Sequence, residues 1–141
     1  MLTAKVTYVK GLQFLGDSSS GHSIVMDGDQ SAGGDNTGPR PMELLILAAG
    51  GCSGMDIISV LRKKKQHITG LEINVKGKKA DDYPRKFTEI TLEFLVHGRN
   101  ISEAAVKKAV ELSMNKYCSV KATLEGSAKI RFSYKLINEE G

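Results

Sequence analysis

The chain has 141 residues, 40% of them hydrophobic and 26% charged, with two cysteines and no tryptophan. That length suits one compact domain over residues 1–141, and the composition excludes a disordered chain or a disulfide-dense scaffold. Twenty basic against 16 acidic residues leave a net charge of +4, but the one dense basic run, Arg62-Lys63-Lys64-Lys65, holds no aromatic residue, so nucleic acid is not an expected partner.

No stretch reads as a run of about 18 to 20 apolar residues, so no membrane partner is expected. The opening MLTAKVTYVK lacks the apolar core of a signal peptide, which sets the expectation of a cytoplasmic protein with reduced thiols. His22, His67 and His97 are scattered, and none lies at metal spacing from a cysteine, so no metal is expected.

Residues 4–9 and 12–15 flank Lys10-Gly11 and predict a tight β-hairpin. A turn over 17–21 precedes a third short strand at 22–26. Residues 27–39, rich in Gly, Asp, Ser and Asn, carry no periodicity and read as a loop. Pro41 suits the first position of a helix, and Glu43 follows in the first turn, where a carboxylate complements the helix dipole. The run Leu44-Leu45-Ile46-Leu47-Ala48-Ala49 is apolar on every face. A helix of that kind needs cover all round, which a second subunit would supply in so short a chain. Gly50-Gly51 weakens a helix, so its presence points to close approach of another backbone or of a substrate. The helix continues through Met55, Ile58 and Leu61 and ends at the basic run, about 24 residues in all, with the glycines as a place to bend.

Alternation at Leu71, Ile73 and Val75 predicts a strand over 71–77. A second strand over 87–97 carries Ile90, Leu92, Phe94 and Val96 on one face, the two forming a hairpin around Asp81-Asp82-Tyr83-Pro84. Ser102-Glu103 caps a second helix, with Ala105, Val106, Ala109 and Val110 at helical spacing, ending near Lys116-Tyr117. A short helical turn reaches Ala122, and residues 128–136 alternate as a closing strand. The order is three strands, long helix, two strands, helix, strand: an α+β fold with helices on antiparallel sheet.

Cys52 falls inside the long helix and Cys118 at a helix boundary. Their separation does not say whether the sulfurs meet, and two unrelated buried thiols fit the spacing as well.

The segment from Gly38 to Asp56, GPRPMELLILAAGGCSGMD, resembles the signature of the OsmC/Ohr family, the osmotically inducible and organic-hydroperoxide-resistance proteins. The second family mark, a cysteine just after the second helix, is matched by Tyr117-Cys118-Ser119-Val120. The resemblance implies an OsmC-like fold, with antiparallel sheets wrapped around two central helices in an intertwined homodimer. It implies that Cys52 is the peroxidatic thiolate and Cys118 the resolving cysteine of a thiol peroxidase acting on small apolar hydroperoxides. The disulfide would be reduced by an external dithiol such as a lipoylated protein, with no bound cofactor or metal.

Two positions depart from the family pattern, an arginine from the N-terminal region held by a glutamate at the start of the long helix. No arginine precedes Arg40, and Met42 occupies the position ten residues before Cys52. Arg40 and Glu43 are the expected replacements. A non-catalytic protein binding apolar ligands or sensing redox state on the same scaffold is the competing reading. A purely structural disulfide is a third.

Overall fold

The computed structural model describes residues 1–139. The chain divides into two compact units, the first Met1–Leu45 and the second beginning at Ile46.

The first unit is an antiparallel sheet of β1 (Ala4–Lys10), β2 (Gln13–Ser18) and β3 (Ser23–Met26) in that order. Tyr8 lies opposite Phe14, with ring centroids 5.4 Å apart. Such cross-strand aromatic pairs help hold register. The sheet leaves Val6, Tyr8, Phe14 and Ile24 exposed, and an apolar cavity of about 520 Å³ lies between Val6, Leu12, Phe14, Met26 and Pro41.

The segment expected to be a plain loop is an ordered structure built on Asp27, whose side chain is buried. Its carboxylate accepts hydrogen bonds from the amides of Gly28, Asp35 and Thr37 and from the Thr37 hydroxyl. These donors, led by that hydroxyl, pull its pKa down to about 2. A short 3₁₀ turn, Gln30–Ala32, sits inside the segment. Gly34 packs so tightly that a Cβ there would collide with the Gly28 carbonyl oxygen.

Helix α1 runs Pro41–Lys63, with Glu43 in its first turn and Arg62 and Lys63 in its last. Ala49, Gly50, Ser53, Gly54, Ile57 and Leu61 are buried, while Leu47 and Met55 point outward at 62% and 76% exposure. Among the described residues, the all-round cover expected from the sequence is thus present on one face only. The glycines explain the buried face. A Cβ on Gly54 would come within 2.8 Å of the Ile73 side chain and one on Gly50 within 3.2 Å of Val75, whereas Gly51 faces open space. The expectation about membrane-length runs is corrected here. By length and composition α1 reaches that of a membrane span, with a mean hydropathy of 1.9 over 18 residues. Its Ala, Gly and Ser residues are small rather than strongly apolar, which is why no long apolar run stands out.

The second sheet has the order β4 (His67–Lys79), β5 (Phe87–Arg99), β6 (Lys129–Asn138). The predicted face of β5 is its buried face: Ile90, Phe94 and Val96 are fully buried and Leu92 nearly so. A register shift between Lys78 and Lys79 brings Phe87 to that face, against Gly77. β4 begins four residues earlier than expected, because a second shift between Ile68 and Gly70 breaks the alternation there.

One expectation is corrected: β6 pairs parallel to β5, from Glu89↔Lys129 to Gly98↔Asn138. The reason is the connection. Strands joined by a crossover of a dozen or more residues carrying a helix can run parallel, and here α2 (Glu103–Leu112), a π-helical turn (Ser113–Tyr117) and α3 (Ser119–Leu124) fill it. Ser102 caps α2 by accepting the Ala105 amide at 3.2 Å. Ala105, Val106, Ala109 and Val110 are buried as expected.

A dithiol beside a carboxylate

The two cysteines, 66 positions apart, come together in the second unit. Cys52 Sγ, Cys118 Sγ and a carboxylate oxygen of Asp56 all lie within 4.8 Å of one another. Both thiols are free, Cys52 half-buried and Cys118 buried. A disulfide needs its sulfurs at about 2.0 Å, so the two thiols are neighbours and not bonded.

Local structure brings each group in. Cys52 and Asp56 are four residues apart on α1 and so share a face. Cys118 is delivered by the π-helical turn, where its amide donates to the Ser113 carbonyl at 2.8 Å. Turns of this kind are rare and recur at functional sites. The Ser113 hydroxyl, fully buried, donates to Asp56 Oδ2 at 3.0 Å and fixes the carboxylate. The Ser53 hydroxyl turns back onto its own helix, donating to the Ala49 carbonyl at 2.7 Å. Asp56 and Ser113 are site neighbours that sequence reasoning missed. The i,i+4 spacing of Cys52 and Asp56 was the available signal for the first; nothing local signals the second.

Burial, first of all, pushes the Cys118 thiol up to about 11 from an ordinary 9.0. The Lys121 amide, which donates to Sγ at 3.4 Å, pulls the other way, and Cys52 and the Asp56 carboxylate add to the rise. The Lys121 ammonium is held by Glu125 at 2.9 Å. A cavity of about 520 Å³ opens beside Asp56, with Val60, Lys63, Leu112 and Tyr117 among its lining. The cluster offers three donor atoms, fewer than the four of a closed structural zinc site.

The other two predicted site residues, Arg40 and Glu43, belong to the first unit. Glu43 Oε1 accepts the backbone N–H of Arg40 at 2.8 Å, a capping interaction at the start of α1. The Arg40 guanidinium donates to Asn36 Oδ1 at 2.6 Å and to the Gly38 carbonyl, with Asp29 3.8 Å away. No hydrogen bond or ion pair between the guanidinium and the Glu43 carboxylate is present among the described residues.

The profile of the family described as OsmC-like protein matches residues 33–133, spanning α1, both cysteines and most of the second sheet. The chain belongs to the OsmC-like protein family. Protein YhfA of Escherichia coli strain K12 is 45% identical over 136 residues, covering 96% of this chain and 98% of the relative. A hypothetical protein of Aquifex aeolicus VF5 has a solved structure 31% identical to this OsmC-like chain, with a TM-score of 0.87 and coverage of 99% and 98%. An organic hydroperoxide resistance protein OsmC of Legionella pneumophila superposes with a TM-score of 0.68 over 96% of each chain. At 13% identity that similarity is one of fold.

Proposed function

We propose that this OsmC-like protein is a thiol peroxidase for small organic hydroperoxides. The observation that carries the reading is the meeting of the Cys52 and Cys118 sulfurs within 4.8 Å. The hydroperoxide-resistance name borne by the Legionella protein of the same fold supports it. Cys52, the more accessible thiol, is the peroxidatic residue. Its sulfur attacks the O–O bond, keeps the distal oxygen as a sulfenic acid and releases the alcohol. The Cys118 sulfur displaces that oxygen, giving a Cys52–Cys118 disulfide and water. An external dithiol, of the lipoylated-protein kind, takes up the disulfide by exchange and restores both thiols. The chemistry requires no bound cofactor or metal.

The working form in this reading is a cytoplasmic homodimer. The outward Leu47 and Met55 of α1, and the exposed apolar residues of the first sheet, support a second copy as their cover. Arg40 and Glu43 enter the proposal as replacements for the family's arginine and glutamate, a pattern from which this chain departs.

The test is coupled consumption of cumene hydroperoxide with a lipoylated donor. Turnover abolished by Cys52→Ser, and collapsing to a single turnover in Cys118→Ser, is the expected result. A Cys52→Ser variant that turns over normally refutes it.

The apolar cavity of the first unit favours a second reading, a carrier of apolar ligands. An apolar molecule extracted from purified protein that consumes no peroxide would select it.

A further inference from the structure

Attack by Cys118 on an oxidised Cys52 requires that the buried thiol first lose its proton, and the amide that faces its sulfur has no capacity to take one. The Asp56 carboxylate does. It lies within 4.8 Å of both sulfurs, a span that one bridging water covers, and proton transfer through a single water is effective. Its orientation is fixed by the Ser113 hydroxyl, from the same π-helical turn that delivers Cys118. The cavity beside it gives a path to solvent.

We propose that Asp56 is the proton acceptor for Cys118 when the disulfide closes, and the donor that returns the proton when it is reduced. This rests on the dithiol reading above. In closure the carboxylate takes the Cys118 thiol proton and the sulfur pair attacks Cys52. The S–O bond of the sulfenic acid breaks, and the departing oxygen takes up the proton from Asp56 and leaves as water. In reduction one thiol of the external dithiol gives its proton to Asp56 and attacks the Cys52 sulfur. Cys118 departs with the bond pair and takes that proton from Asp56, and the donor's second thiol then displaces Cys52 to close the donor's own disulfide. Ser113 is a positioning residue in both directions.

Among the described residues, the charged and titratable groups beside Asp56 and Cys118 are Cys52, Lys63 and Lys64 from α1 and its end, Tyr117 from the π-turn, and Lys121, whose ammonium Glu125 holds.

The Asp56 charge itself opposes ionisation of Cys118, so the two roles open to this carboxylate have opposite signs. Removing a mere electrostatic neighbour speeds attack by Cys118; removing a proton acceptor slows it. The experiment needs no peroxide. Reduced protein is labelled on Cys52 with substoichiometric Ellman's reagent, and Cys118 attack is followed by release of thionitrobenzoate across pH.

Asp56→Asn keeps the shape and an acceptor for Ser113. It is expected to slow release at least tenfold at pH 7 and to leave a rate that climbs tenfold per pH unit. Asp56→Glu restores a flatter profile, and Ser113→Ala falls between. Release from Asp56→Asn as fast as wild type, or faster, overturns the proposal. Peroxide-driven loss of the Cys52 thiol, measured in the same preparations, reports on the peroxidase reading separately. Slowed release without peroxide reaction keeps Asp56 in its role and removes the peroxidase. Peroxide reaction with unslowed release does the reverse.

Discussion

The ionisation of Cys118 gives a quantitative test of the site's geometry. Replacing Cys52 with serine leaves Cys118 as the sole thiol, so its thiolate absorbance near 240 nm can be titrated as the difference from Cys52→Ser/Cys118→Ala, which removes the contribution of the four tyrosines. With a pKa of about 11 against an ordinary 9.0, the buried thiol holds about a hundredfold less thiolate at neutral pH than an exposed cysteine, since each pKa unit is a factor of ten. The Cys52→Ser change removes one of the smaller causes and leaves burial, the largest, in place. The inflection is therefore expected above 9 and somewhat below 11. The same displacement has a consequence for stability. The protonated form is favoured in the folded state, so its contribution is complete below pH 9 and is lost as pH rises towards 11. Cys52→Ser should lose thermal stability across that window more steeply than Cys52→Ser/Cys118→Ala. An inflection at or below 9 would mean that Cys118 is not buried as described, and the reasoning about its proton would fall with it.

Other consequences follow from packing and from the first unit. Gly54→Ala pushes a methyl group to 2.8 Å from the Ile73 side chain and is expected to cost about 1–3 kcal/mol in denaturant unfolding. Gly51→Ala meets nothing within 4 Å among the described residues, so the helix should gain up to about 1 kcal/mol. If a second copy covers that face, the same change weakens dimerisation in analytical ultracentrifugation. Thr37→Val removes the leading cause of Asp27's low pKa. The carboxylate's contribution, present above its unfolded pKa and lost as pH falls towards 2, should then be lost at higher pH, visible as an acid-unfolding limb shifted upward.

Much of the fold is written locally. Pro41 and Glu43 mark the start of α1, and Ser102 marks that of α2. The alternation from Ile90 to Val96 identifies the buried face of β5. What sequence reasoning missed depends on long-range pairing. The alternation over 128–136 is the same for either strand direction, and only the helical crossover makes β6 parallel to β5. A π-helical turn has no residue signature comparable to a proline or a glycine, so the helix was expected to run on to Lys116-Tyr117 rather than to widen after Leu112. The meeting of Cys52 with Cys118 is a tertiary fact that spacing leaves open, and the family resemblance supplied the pairing before the geometry did. Asp56 reads locally as a polar position on a helix; only the arrival of Cys118 and Ser113 beside it gives it a chemical setting. Asp27 was hidden for a related reason. Its partners at Asp35 and Thr37 are eight and ten residues away, inside a stretch without periodicity.

The central claim, that Cys52 and Cys118 are one redox pair, is tested most directly by mass spectrometry of reduced protein treated with one equivalent of cumene hydroperoxide. The account predicts the loss of two hydrogens from the intact chain and a peptide map in which Cys52 and Cys118 are joined. Cys118→Ser should give instead a sulfenic acid on Cys52, trapped by dimedone. Both thiols remaining free and unmodified, or each oxidised separately with no link between them, would contradict it.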